Sequence, residues 1–177
     1  MSVLNRTPEN TNLLQPTKFL VSFSRIPEVT YFCQEANIPG ISLPALTLSS
    51  PGLDYHVVGN KLTFNMFTIR FLVDESVESW KNIYYWLYSI ASPKGTEERS
   101  MLTALQNQYN ENEKFKNYSD AHLTVLSNLN NPILRVRLVG LFPVSLSDIQ
   151  FDSTLSADNI ITSEATFSVK YIELEQA

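Results

Sequence analysis

Nucleophilic chemistry in this chain would have to start from Cys33, the one cysteine, with His122 as a partner; His56 is the other of the two histidines. A thiol nucleophile needs a base and an orienting group close by. The three residues fall in three separate segments, and neither histidine has a second Cys or His at metal-ligand spacing. A zinc site is therefore not expected. One thiol also cannot close an intrachain disulfide. Cys33 sits in an alternating stretch and reads as a small apolar side chain. Asp74, Glu75 and Glu78 form a carboxylate cluster directly ahead of a helical pattern. Negative charge at a helix N-terminus accounts for it without general acid–base work. Arg135 and Arg137 share one strand face and could touch phosphate. In an acidic chain they read instead as partners for carboxylates at a subunit contact.

The usual loops for phosphate or acyl chemistry are missing. There is no G-x-x-x-x-G-K, no G-x-G-x-x-G and no G-x-S-x-G, and five glycines leave little to build a cradle from. Net charge is −5, with 13 basic residues scattered rather than striped. Sustained nucleic-acid binding needs clustered cations, so it is not expected. No cofactor is expected. No secretory leader is visible at the N-terminus, and the longest apolar stretch, 83–91, is too short to span a bilayer. No membrane partner is expected either.

The elements that would position these residues are mostly strands. A polar, Asn- and Pro-rich arm covers 1–16, and a single domain is expected over 17–177. Strands are predicted at 18–24 and 29–36, joined as a hairpin. Residues 37–60 carry Pro39, Gly40, Pro44, Pro51, Gly52 and Gly59, yet also Leu46, Leu48, Leu53 and Tyr55. Pro and Gly argue against a regular central strand there, and the apolar residues argue against a loop facing only water. The expectation is an irregular arm packed on another subunit. In 61–74 the apolar alternation changes phase, which predicts a bulge or a strand passing between two sheets. A helix is predicted over 75–92, with Val77, Trp80, Ile83, Tyr84, Leu87 and Ile90 on its core face. Residues 94–119 form a polar insertion. Strands follow at 121–127, 133–139 and 148–152, with a connection at 140–148 and a long closing strand at 162–174. The fold class is α+β and β-dominated: an antiparallel β-sandwich or open barrel with one central helix.

Several segments resemble the tail tube proteins of T4-like contractile-tailed phages. The similarity runs through F-C-Q-E-A-N-I-P-G at 32–40, V-D-E-S at 73–76 with the W…YYWL helix, and G-L-F-P-V-S-L-S-D-I-Q-F-D at 140–152. It continues through T-S-E-A-T-F-S-V-K-Y at 162–171. None of these is a catalytic signature. The resemblance implies a non-enzymatic virion protein. Such subunits form six-fold rings, each giving about four strands to a shared barrel, and the rings stack into a conduit for DNA. It implies contacts with further copies, with tail sheath, baseplate and tape-measure proteins, and assembly in the host cytoplasm. Leu46, Leu48, Leu53 and Tyr55 would then be inter-ring contacts. The same domain occurs in baseplate tube initiators, and a terminating ring is a further alternative. A reading of another class is a carbohydrate-binding β-sandwich using Trp80, Trp86 and the tyrosines.

Overall fold

The computed structural model describes residues 11–91, 93, 117–154, 156 and 159–176. The chain order is β1 (Phe19–Phe23), α1 (Pro27–Phe32), β2 (Cys33–Ala36), β3 (Ile41–Ser42), β4 (Leu46–Ser50) and β5 (Leu53–Val57). Then come β6 (Thr63–Phe64), β7 (Phe67–Leu72), α2 (Glu78–Ala91), β8 (Ser119–Leu126), β9 (Pro132–Leu146), β10 (Thr162–Ser168) and β11 (Tyr171–Gln176). The fold is strand-dominated α+β, built on an antiparallel sheet that does not close into a barrel. Most of the expected insertion, up to residue 116, and the first ten residues of the N-terminal arm lie outside the described residues.

The sheet has two layers joined by one strand. In the first layer the order is β1-β8-β9-β11. In the second it is β9-β10-β7-β2. The first half of β9 therefore belongs to one layer and the last part to the other. The corner is at Gly140, whose φ of 68 suits glycine. A Cβ there would stand 3.0 Å from the Cβ of Lys170. The amide of Gly140 donates to Asp120 Oδ1 (3.1 Å), and Lys170 N donates to Val139 O (3.1 Å).

Three expectations change here. The strand that passes between layers is β9, not 61–74, and it runs straight through the predicted connection at 140–148. Pro143 fits because its residue lies on a stretch of β9 that pairs on one side, with β10. The predicted closing strand is two strands, β10 and β11, which pair with the two parts of β9. No strand forms at 148–152.

The core lies between the layers. Val21, Phe23, Ala121, Leu123, Val136 and Leu138 face Phe67, Ile69, Phe71, Ala165 and Phe167. Phe167 is the aromatic hub, with ring centroids 5.6 Å from Phe23, 6.2 Å from Phe67 and 6.0 Å from Trp86. The stretch predicted as strand 29–36 is split. Pro27 sits in the first turn of α1, where a missing N–H costs nothing, and Val29 is buried. β1 accordingly pairs with β8 and not with β2.

Helix α2 buries Ser79, Ile83, Trp86 and Ser89. Relative to the predicted core face, the helix is turned. Ile83 is in the core, Trp80 and Ile90 are partly buried against it, Leu87 is partly exposed, and Tyr84 is 40% exposed. Trp86, placed on another face by spacing alone, is 1% exposed, and the Arg25 guanidinium stacks over its ring at 4.9 Å. Indole is the largest side chain available, and burying it gains the most.

Asp74 fixes where the helix begins. Its carboxylate accepts from the backbone of Glu78 (3.1 Å) and Ser79 (3.2 Å), and from the hydroxyls of Ser79 (2.5 Å) and Ser76. Burial opposes the charge, but these four donors together hold the carboxyl far below its ordinary range. They also brace Val77, which stands at φ 58, a strained position for a β-branched residue.

Trp86→Ala is expected to cost about 3–5 kcal/mol and Tyr84→Ala under about 1 kcal/mol, read from denaturant melts. Asp74→Ala is expected to cost about 1 kcal/mol at neutral pH. Because the folded-state carboxyl titrates below the unfolded one, that stabilisation exists above about pH 4 and fades as pH falls. The gap between wild type and variant in thermal melts should close in acid.

Candidate assembly surface

The stretch 37–66 is an ordered two-stranded ribbon. It continues the β2–β7 pair outward from the edge of the second layer. Asn37 clamps its root: the side chain donates to Met66 O (3.1 Å) and accepts from Thr68 N (2.6 Å). Next, Asn65 N donates to Gly40 O (2.9 Å), and Ile41 and Ser42 pair with Phe64 and Thr63. The phase change at 61–74 is the irregular step between β6 and β7 at Asn65–Met66. Beyond, β4 pairs with β5 in register from Leu46↔Val57 to Ser50↔Leu53. The Pro51-Gly52 turn closes the ribbon, with Gly52 at φ 91. Prolines and glycines thus punctuate a β-arm rather than prevent it.

The register sorts the arm into two faces. Leu46, Leu48, Leu53, Tyr55 and Val57 lie on one side. Thr47 with His56 (3.2 Å) and Ser49 with Asp54 (2.5 Å) lie on the other. The apolar side is bare: Leu46 is 55% exposed, Leu48 45%, Leu53 70% and Tyr55 48%. The four residues singled out from sequence are thus brought together on one uncovered face. An isolated two-stranded hairpin is marginal in water, and contiguous exposed apolar patches are uncommon on monomers.

The outward side of the first layer is polar. Ser22, His122, Arg137 and Glu173 form one row across the four strands, and Leu20, Thr124, Arg135 and Glu175 the next. Arg137 pairs with Asp120 (3.0 Å) and Glu173 (3.3 Å), both within the chain. The expectation that this arginine waits for a carboxylate at a subunit contact is corrected: its partners are its own neighbours on β8 and β11.

The residues with chemical potential do not converge. Cys33 is on β2, His56 on the arm and His122 on β8. Burial pushes the Cys33 thiol up to about 11, against the bond from its sulfur to Glu35 O, so it is a poor nucleophile at neutral pH. Among the described residues no group of three His, Cys, Asp or Glu could hold a metal ion, and no helix is long and apolar enough to cross a membrane. A shallow hollow of about 540 Å³ lies beside Asp148, Phe151, Asp152, Asn159 and Ile160, but Asp152 is already engaged by Thr154.

Sequence reasoning missed the stacked ladder Trp80–Tyr84–Tyr88 on α2, with centroids 5.3 and 5.5 Å apart. Its signal was the i, i+4, i+8 aromatic spacing. Trp80 also donates its indole N–H to Ser147 O (3.0 Å).

The described residues thus make a two-layer sheet that carries a bare amphipathic β-arm. The family model for phage tail tube proteins matches residues 8–173. The chain belongs to the phage tail tube protein family. No curated protein sequence matches it. Among solved structures, the fold is shared with the tube-terminating cap of the anti-feeding prophage (TM-score 0.65, 13% identity, all of both chains). It is also shared with the sheath–tube complex of an extracellular contractile injection system in its extended state (0.57, 18%, 100% of this chain and 99% of that one). A third is the anti-feeding prophage baseplate (0.58, 10%, 94% and 97%).

Proposed function

We propose that the chain forms hexameric rings that stack into the inner tube of a contractile tail, the conduit through which DNA leaves the virion. The observation that carries this reading is the amphipathic arm. Its polar side is satisfied internally, and its apolar side has nothing to cover it within the chain. Ten residues from Ile41 to the turn reach about 33 Å at strand rise, enough to cross onto an adjacent ring. Leu46, Leu48, Leu53 and Tyr55 are the inter-ring contacts in this reading.

About four strands per copy in a six-fold ring make about 24 strands. At ~4.8 Å spacing they give a circumference of about 115 Å and a backbone diameter near ~37 Å before tilt widens it. That leaves room for a duplex. The outward side of the first layer supplies a fitting lumen: two arginines against Asp120, Glu173 and Glu175, so polar and slightly acidic. A conduit with this charge does not brake phosphates. Tail sheath, baseplate and tape-measure proteins are the further partners, and the assembly takes place in the host cytoplasm.

A second reading is a tube-terminating ring. The terminating cap aligns with this chain at a higher TM-score than the sheath–tube complex does. Negative-stain microscopy separates the two: a tube subunit forms stacks, a terminator single rings.

Deleting 46–55 is expected to leave rings intact and abolish stacking, seen as loss of polymer in sedimentation. Unchanged polymer length would overturn the arm assignment. Duplex DNA at physiological salt should bind more weakly than micromolar in a filter or anisotropy assay, and a micromolar affinity would contradict the conduit.

A further inference from the structure

The first layer ends in two unpaired strands, β1 on one side and β11 on the other, with no partner on their outer edges among the described residues. Such edges are templates for pairing with another chain. Every step across the layer is antiparallel, so over four strands the direction alternates and β11 runs opposite to β1. A second copy placed beside the first by rotation would continue the alternation without a parallel pair.

The side chains agree. On the inward face, the row Val21, Leu123, Val136, Leu174 is buried through its first three members, while Leu174 is 66% exposed. Ile172, in the next row, is only partly buried. An apolar neighbour is missing on that side alone. On the outward face β11 carries Glu173 and Glu175, and β1 is directly preceded by Lys18, whose ammonium rests on Asn130 Oδ1 (2.7 Å). One edge is acidic, and the other brings a cation.

We infer that the free edge of β11 pairs antiparallel with the free edge of β1 on the next copy, covering Ile172 and Leu174 and bringing Lys18 to Glu173. This seam rests on the ring reading and names the edges that close it. A barrel of about 24 strands tilted about 35° needs a stagger of roughly four residues at each of six seams. Stagger in one sense sets Lys18 opposite Glu173 and Leu20 opposite Tyr171. The opposite sense would set the buried Arg25 against Leu174.

Cysteine pairs in a Cys33→Ser background test it, because directly opposed strand residues lie within disulfide reach. Leu20→Cys with Tyr171→Cys probes the staggered register, and Leu20→Cys with Glu175→Cys the level one. After oxidation, either pair should give a covalent ladder of up to six bands on a denaturing gel, with the first pair the stronger. Glu35→Cys with Glu173→Cys, which joins an edge of the second layer instead, should give none. Rings visible by microscopy with no ladder from either Leu20 pair would overturn the seam and leave the ring reading standing. An absence of rings from the wild-type protein at any concentration would overturn both.

Discussion

Two sheets can share one strand only if that strand turns a corner without losing its hydrogen bonds, and this fold depends on how β9 does so. At Gly140 the backbone enters the left-handed region, and the freed amide is taken by the Asp120 carboxylate rather than left bare. The other oxygen of Asp120 holds Arg137, which also reaches Glu173 on β11. One carboxylate thus ties β8, β9 and, through the arginine, β11. The exchange of partners follows. Before the corner β9 pairs with β11, and after it with β10, so the chain from 162 to 176 must cross between layers too. The two layers are then held face to face over the cluster around Phe167, Phe23, Phe67 and Trp86.

That construction gives a well-buried centre and an unfinished periphery. Among the described residues seventeen hydrophobic side chains form the core, yet the arm exposes its leucines and β11 exposes Leu174. A monomer does not retain such surfaces without a use, because bare edges and apolar patches invite aggregation. The buried contacts of the described residues lie in the sandwich, while the arm, two strands thick, buries none of its leucines within the chain.

Much of this was legible in the residues, and the failures have physical causes. Strict alternation marked β1, β8 and β10, each with one face in the core. The apolar residues of 37–60 stood out against its prolines and glycines before any register was known. Which of them share a face could be seen only from the pairing, since Pro44 and Gly59 hide the continuity of the ribbon. There a Cβ on Gly59 would run into Pro44 O, so no side chain fits. Helix α1 was missed because Val29, Tyr31 and Cys33 alternate as a strand would, while Pro27 started a short helix instead. The buried face of α2 was read in part, with Ile83 in the core and Trp80 and Ile90 against it, because spacing treats all apolar residues alike. Tertiary packing chose Trp86, with the small Ser79 and Ser89 beside it, over Tyr84. Pro143 read as a breaker, but it lies on a stretch of β9 paired on one side, where a strand tolerates a proline.

Among the described residues, several ionisable side chains are taken up by structural contacts. Asp74 is spent on starting α2, Asp120 on the β9 corner, Arg137 on bridging strands, and Arg70 on Glu35 and Glu164 across β2, β7 and β10. A catalytic group must be free to change its protonation or its partner during a cycle. These groups are fixed by geometry, and Asp74 and Arg137 are held in their charged forms by the donors and acceptors around them.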